Sequence, residues 1–277
     1  MTRGLDLAPI LAVTRDAVRA AGALVLEGFR RNPVIEHKGA VDLVTVFDRD
    51  SEALLRERLS ALPYAIVGEE TGGDAAEIAF YVDPIDGTTN FVHGHPFWCV
   101  SVGLVVSGEP VLGVVLAPAL GVEWYGALGD DAQTFRRSAT NGIVATSQAE
   151  PLTERARVSG VARFEDSLLA TGFPYDRRTS PDNNFNAFVA IKRRCQAVRR
   201  CGSAAIDLCL VADGTYDGYW ERKLKPWDIA GGIAIVKGAG GRVTEIGGGS
   251  SYIRTGTVVA TNGAIHDALL HELSLVP

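Results

Sequence analysis

The chain has 277 residues, 47% of them hydrophobic and 22% charged, and a formal net charge of -6 at pH 7. A chain so apolar can bury a substantial core, which excludes intrinsic disorder, and its length suits one large domain or two small ones. The acidic balance excludes non-specific nucleic-acid binding, which needs a basic face, so no direct nucleic-acid partner is expected.

Arg15, Asp16 and Arg19 interrupt the apolar residues near the N-terminus, which therefore lacks the shape of a signal peptide. No stretch reaches the ~18 apolar residues of a membrane span. Cys99, Cys195, Cys201 and Cys209 form no C-x-x-C pair, which predicts free, mostly buried thiols in a reducing, cytoplasmic setting.

Leu7, Leu11, Val18, Val25 and Phe29 recur at helical spacing and predict an amphipathic helix over 5–30 that ends at Asn32-Pro33. A short strand is expected over 34–38 and a turn at Gly39-Ala40. Phe47, Leu54, Leu55, Leu59 and Leu62 mark one face of a second helix, with Asp48 in its first turn. The helix dipole favours a carboxylate there, so Asp48 has a structural reading as well as a chemical one. Residues 64–67 read as a strand ending at Gly68-Glu69-Glu70.

The apolar run 78–82 is a further buried strand, and it delivers Asp83-Pro84-Ile85-Asp86-Gly87-Thr88-Thr89-Asn90. Pro84 cannot donate a hydrogen bond, so the chain is expected to leave the sheet there. Gly87 permits a tight turn, and Thr88 opens a helix with free N–H groups. Two carboxylates and the Ile85 carbonyl suit a hard divalent cation, and the helix start suits a phosphate.

Runs over 97–106, 111–117 and 122–127 predict an antiparallel meander. Residues 129–157 read as a long, polar, irregular excursion in which Asn141-Gly142 is the clear turn signal. The second half alternates: a strand over 168–170, a helix over 184–194 and a strand at 197–198. Ser203 then caps a helix over 204–212. A strand follows over 216–221, a helix over 227–239, strands over 242–246 and 258–260, and a last helix from about 264. Helices alternating with strands, and no linker between them, point to a layered α/β architecture.

Glu69, Asp83, Asp86 and Asp228 are the candidate metal ligands. Clustered carboxylates raise one another's pKa unless a cation sits among them. An all-oxygen set selects Mg2+ or Mn2+ over zinc. His93 and His95 have ligand-like spacing but read as loop histidines. No serine or cysteine is paired with a base, so water is the expected nucleophile, and Asp48 with Thr88 could orient it.

These segments resemble the inositol monophosphatase family, in its bacterial SuhB-like branch. The first family signature is matched by Asp83 to Asn90 followed by Phe91, and the second by Trp227-Asp228-Ile229-Ala230-Gly231. Gly68-Glu69-Glu70, Asp42-Leu43-Val44-Thr45, Ala170-Thr171-Gly172-Phe173-Pro174 and Arg200-Cys201-Gly202-Ser203-Ala204-Ala205 match in order, so the likeness covers nearly the whole chain.

The resemblance implies a layered αβαβα sugar-phosphatase sandwich. It would form a single catalytic domain, with a metal-binding lobe over about 1–150 and a substrate-binding lobe over about 151–277. By that likeness Glu69, Asp83, the Ile85 carbonyl, Asp86 and Asp228 would bind two or three Mg2+, with Mn2+ as a substitute. Asp48 and Thr88 would activate the water, and Glu69 would share in catalysis. The Gly87 and Thr88 amides would hold phosphate. Asp86, Gly202, Ser203, Ala204 and Glu221 would contact the polyol, and Lys38 resembles the family's active-site-loop lysine.

A lithium-inhibited homodimer acting on inositol 1-phosphate is the implied enzyme. Similar proteins hydrolyse fructose 1,6-bisphosphate, histidinol phosphate or nucleotide 3′-phosphates, and SuhB-like relatives also bind the transcription machinery. Glu221 favours a polyhydroxy substrate, because a carboxylate accepts hydrogen bonds from neighbouring hydroxyls. The family's compact glycine-rich hairpin would be expected near 129–157, where this chain is longer and less regular.

Overall fold

In a computed structural model of the protein, which describes residues 4–31, 35–37, 43–129, 132–138 and 152–276, the opening helix is α1 (Leu7–Gly28). Asp6 caps it by accepting from the Ala8 N–H. Strands β1 (Ile35–His37) and β2 (Leu43–Thr45) pair antiparallel, and helix α2 (Val46–Leu59) follows directly. Lys38, Asp42 and the 39–40 turn lie outside the described residues.

A seven-stranded sheet is built from β3 (Ala65–Gly68), β4 (Ile78–Asp86), β5 (Cys99–Val106), β6 (Glu109–Ala117), β7 (Val122–Ala127), β8 (Gln133–Ser138) and β9 (Leu152–Arg155), in that spatial order. Strands β3 and β4 run parallel, and the other neighbours antiparallel. The short helix α3 (Thr88–Val92) follows β4.

The second half supplies β10 (Leu168–Thr171), α4 (Phe185–Lys192), β11 (Ala197–Arg199), α5 (Ala204–Ala212), β12 (Gly218–Glu221), α6 (Pro226–Gly238), β13 (Arg242–Thr244), α7 (Tyr252–Thr255), β14 (Val258–Thr261) and α8 (His266–Ser274). Its sheet has the order β11-β10-β12-β14-β13.

Five layers result. Helices α1 and α2 cover one face of the larger sheet, α5 and α6 fill the space between the sheets, and α4 and α8 close the far side. The side-chain period of two shows in β4. Phe80 and Val82 join the core under α1 and α2, while Ala79 and Tyr81 point the other way with Ala230 of α6. Every residue of β5 is buried, because both faces of that strand are covered.

The seating of α6 depends on missing side chains. A Cβ placed on Gly103 would lie 2.5 Å from the Ala230 carbonyl carbon and the Gly231 nitrogen, and one on Gly113 would strike the Gly231 carbonyl. The helix therefore rests on the sheet backbone to backbone, which only glycine allows. Its first turn carries Asp228.

Two expectations change. Strand β4 runs on through Pro84 to Asp86, with a register shift between Asp83 and Asp86. The bulge absorbs the missing donor of Pro84, so the chain need not leave the sheet. Within 129–157, β8 and β9 extend the meander where an irregular excursion was expected. Phe135 pairs across the ladder with Tyr125, their rings stacked at 5.5 Å, and the Thr134 hydroxyl donates to the Ile235 carbonyl at 2.9 Å. Partners from other elements hold this charged strand in place. Residues 139–151, with Asn141-Gly142, lie outside the described residues. The four-residue helix α7 was not predicted.

His266 carries a stability prediction. It is fully buried, with Nε2 2.9 Å from Thr244 Oγ1 and Nδ1 2.9 Å from Thr261 Oγ1. Burial, aided by Arg242 and opposed by Asp267, lowers its pKa to about 4. The unfolded chain would bind a proton near pH 6.5, where the folded one does not. Stability is therefore expected to be intact above pH 6.5 and to fall as pH drops toward 4, by at most about 3 kcal/mol from this residue. Urea unfolding at pH 7 and at pH 4.5 tests this. If His266→Gln shows the same loss over that interval, His266 is not its source.

Candidate active site

The ends of β3 and β4, the start of α3, the start of α5, the end of β12 and the start of α6 meet around a cavity of about 770 Å3. Glu69, Asp83, Ile85, Asp86, Gly87, Thr88, Gly202, Ser203, Ala204, Glu221 and Asp228 all line it, so every expected site residue among the described ones except Asp48 shares one wall system. Asp48 lies directly behind, 1% exposed, and accepts from the Thr88 hydroxyl at 3.2 Å.

Local chemistry sets each position. Asp48 Oδ2 accepts from the Thr45 N–H and hydroxyl, both at 2.7 Å, and closes a capping box on α2. That leaves Oδ1 for Thr88, so the structural and chemical readings of Asp48 coexist on different oxygens. Burial raises its pKa to about 6 despite the Thr45 hydrogen bonds, with Glu70 adding to the push. The Thr88 hydroxyl also lies 3.0 Å from the Ile85 carbonyl.

Asp83 Oδ1 accepts from the Ile85 N–H at 3.0 Å and shapes the bulge at Pro84. Asp86 Oδ2 accepts from the Ser203 hydroxyl and the Ala205 N–H, each at 2.7 Å, which ties β4 to the start of α5. Asn90 Nδ2 donates to the Phe97 and Cys201 carbonyls at 2.7 and 2.9 Å, another tie between the halves. Asp228 Oδ2 accepts from the Lys225 N–H at 2.7 Å in a capping box on α6. Gly87, with φ at 95°, makes the left-handed turn into α3.

Burial, then Glu69, Asp86, Asp228 and Asp48, push the Asp83 carboxyl well above its ordinary range. Asp228 is raised by burial, Asp86 and Glu69. Glu69, Asp83, Asp86, Asp207, Glu221 and Asp228 face Arg177, Arg200 and Lys225 across the cavity, so acids outnumber bases. Among the described residues no three His, Cys, Asp or Glu side chains are drawn together as a ready-made metal cage. What fits a hard divalent cation is the donor chemistry: buried oxygens that repel one another, which a cation would relieve. His93 lines the cavity, while His95 Nδ1 accepts from the Phe97 N–H at 3.3 Å, in keeping with a loop histidine.

Three contributors were not singled out from the sequence. Glu52, fully buried on α2, accepts from the Glu70 N–H at 2.6 Å, from the Thr71 N–H at 3.1 Å and from the Thr71 hydroxyl. Its carboxylate pins the turn that presents Glu69, and a side chain on Gly68 would collide with it. Burial works to raise its pKa, but hydrogen bonds from Thr71, Glu70 and Arg56 outweigh that and hold it low. Arg200 and Asp207 line the cavity beside Glu221. An acid in the first turn of α5 was the one sequence signal for Asp207, and it reads equally as dipole complementarity.

Residues 6–276 match the family described as "Inositol monophosphatase family". The chain belongs to that family. As a member it is a phosphoric monoester hydrolase with the layered α/β sandwich of inositol monophosphatases. The chain is 41% identical to an "Inositol-1-monophosphatase" of Synechocystis sp. over 278 residues, 98% of this chain and 91% of that one. It is 37% identical to "Nus factor SuhB" of Pseudomonas aeruginosa, over 95% and 94% of the two chains. Among solved structures, the inositol monophosphatase from Anabaena (Nostoc) sp. PCC 7120 superposes with a TM-score of 0.80 at 36% identity, covering 99% of this chain and 98% of the other. Among the described residues no helix is long and apolar enough to cross a membrane. The free thiols Cys99, Cys195 and Cys209 are buried, and Cys201 is half-buried.

Proposed function

We propose that this inositol monophosphatase-family chain is a Mg2+-dependent phosphomonoesterase that hydrolyses inositol 1-phosphate to inositol and phosphate, with water as nucleophile. Glu69, Asp83, the Ile85 carbonyl, Asp86 and Asp228 would hold two or three Mg2+, or Mn2+ in their place. When bound, the ions supply positive charge at the phosphoryl oxygens and a lowered pKa for a coordinated water.

The rest falls to the chain's own residues. The Thr88 hydroxyl donates to Asp48 and so turns a lone pair outward, where it accepts from and orients the attacking water. Asp48 serves this as the carboxylate, and Glu69 works beside it. The Gly87 and Thr88 amides, at the start of α3, are placed to hold phosphate oxygens. Asp86, Gly202, Ser203, Ala204 and Glu221 form the alcohol side. There Glu221, raised to about 7 by burial against the pull of Tyr219 and Arg200, is a hydrogen-bond acceptor for hydroxyls.

The observation that carries this reading is the meeting of acids from β3, β4 and α6 at one cavity, with the Thr88–Asp48 bond directly behind it. A phosphatase panel tests it, with and without Mg2+, on inositol 1-phosphate, fructose 1,6-bisphosphate, histidinol phosphate and 3′-phosphoadenosine 5′-phosphate. We expect Mg2+-dependent, lithium-inhibited turnover with the highest kcat/KM on inositol 1-phosphate. A higher value on another ester would reassign the substrate, and no Mg2+-dependent hydrolysis of any of them would end the proposal.

On the same reading the chain is one catalytic domain, with a metal lobe over about 1–150 and a substrate lobe over about 151–277. It acts in the cytoplasm as a homodimer. The likeness to Nus factor SuhB supports a second role, association with a transcription factor. The full acid set at the cavity speaks for catalysis alongside it, since a scaffold has no use for buried, mutually repelling carboxylates.

A further inference from the structure

Asp207 sits in the first turn of α5, 2% exposed, and lines the cavity, yet its Oδ1 is buried without a hydrogen-bond partner. None of the ligand or water-orienting roles proposed above uses it. A buried polar oxygen left unpaired destabilises a fold, so such a group persists where something outside the folded chain satisfies it.

Its surroundings define what that something is. Glu221 and Asp86 are close enough to push its carboxyl further above the ordinary range, beyond what burial does, and Arg200 opposes them. Glu221 Oε2 accepts from the Tyr219 hydroxyl, and a side chain on Gly172 would collide with the Glu221 carboxylate. The Arg200 guanidinium packs against Gly202, which has φ at 90°. Two acids, one guanidinium and a glycine-flanked wall make a polar recess on the alcohol side. Arg200, which lines the same cavity, sets it against a cationic ligand.

We propose that Asp207 is a specificity residue that hydrogen-bonds a ring hydroxyl of the alcohol, next to the hydroxyl read by Glu221. A carboxyl group accepts from one hydroxyl and, when protonated, donates to the next. Vicinal hydroxyls of a cyclic polyol offer both at the spacing of neighbouring carbons, and an alcohol without them leaves Asp207 unpaired in the complex as well. A site built this way discriminates strongly against esters that lack the hydroxyls. The inference rests on the phosphomonoesterase reading above.

The test compares wild type, Asp207→Ala and Asp207→Asn on inositol 1-phosphate and on p-nitrophenyl phosphate, whose alcohol has no hydroxyl to read. For Asp207→Ala the ratio of kcat/KM for inositol 1-phosphate to that for p-nitrophenyl phosphate is expected to fall about tenfold, mainly through a higher KM for the inositol ester. Asp207→Asn, which keeps an acceptor and a donor, is expected to recover most of that ratio. Tm without substrate is expected to stay level or rise in Asp207→Ala, because an unpaired buried oxygen has been removed.

An unchanged ratio would overturn the assignment. So would a lower Tm with both esters losing activity in proportion, since that marks a structural role. In either case wild-type hydrolysis leaves the phosphatase reading standing. If wild type hydrolyses neither ester with Mg2+ present, the phosphatase reading fails and the assignment falls with it.

Discussion

Asp83→Asn is expected to lower kcat on the preferred phosphate ester by about 10²–10³-fold, the scale seen when one preorganised electrostatic contact is lost from a site. The same substitution is expected to stabilise the metal-free protein. Burial and four neighbouring acids hold the Asp83 carboxyl far above its ordinary pKa. The folded chain therefore keeps a proton that the unfolded chain has released above about pH 4, and stability falls as pH rises through that interval. An amide at this position has no charge to develop, so the metal-free variant should unfold some 2 °C or more above wild type at pH 8. Mg2+ should raise the Tm of wild type and shift the variant far less, because the ligand that couples binding to folding is gone. Thermal unfolding with and without Mg2+, beside steady-state kinetics, reads both effects. A variant that keeps its turnover and its full Mg2+-induced shift would show that Asp83 is not a ligand.

Thr88→Ala is expected to lower kcat by about 10²–10⁴-fold, the usual contribution of a positioned proton acceptor, while inorganic phosphate binds with little change. The hydroxyl stands 3.2 Å from Asp48 Oδ1 and 3.0 Å from the Ile85 carbonyl, and nothing in alanine replaces it. The phosphate contacts proposed for this segment come from backbone amides, which the substitution leaves in place. Asp48 sets the pH dependence. With its pKa at about 6, the relay carboxylate is present above that pH and lost as pH falls through it. Bound cations favour the carboxylate, so in Mg2+ the acid limb of kcat/KM should lie at or below pH 6 in wild type and flatten in Thr88→Ala. Full kcat in Thr88→Ala would remove the water-orienting role from both residues.

Both predictions concern groups that short-range signals already marked. The Asp-Pro-x-Asp-Gly-Thr run, the Asp48 capping position and the Ser203 cap of α5 each depend on residues within about four positions, and such neighbours act through backbone geometry written into the sequence. The predicted 204–212 helix is α5 residue for residue, because its cap and apolar run are local. That β3 and β4 lie side by side and parallel was left open by the sequence and is decided by the fold. Each is a short apolar strand ending in acids, and pairing them brings Gly68 opposite Val82.

Other features had no local signature. Pro84 predicts an exit from the sheet, yet a register shift keeps β4 paired with β5 as far as Asp86. Strand β8 reads as polar and irregular until Tyr125 stacks on Phe135 and Thr134 reaches Ile235, about a hundred residues further along the chain. Glu52 looks like one more charge on a helix. Only the fold shows it gripping the turn that presents Glu69.

The sequence by itself therefore determined the family, the layered α/β class, most element positions and the choice of Glu69, Asp83, Asp86, Asp228 and Thr88 as candidates, all of which line the cavity. Those follow from periodicity, capping and residue chemistry, which act over a few positions. Tertiary structure alone decided which acids share a cavity, that Asp48 stands behind Thr88, that α6 rests directly on Gly103 and Gly113, and that Asp207 is left unpaired. Each of these turns on burial and contact between segments far apart in the chain, and the free energy of burying a group depends on what surrounds it in the folded molecule, which its sequence neighbours do not reveal.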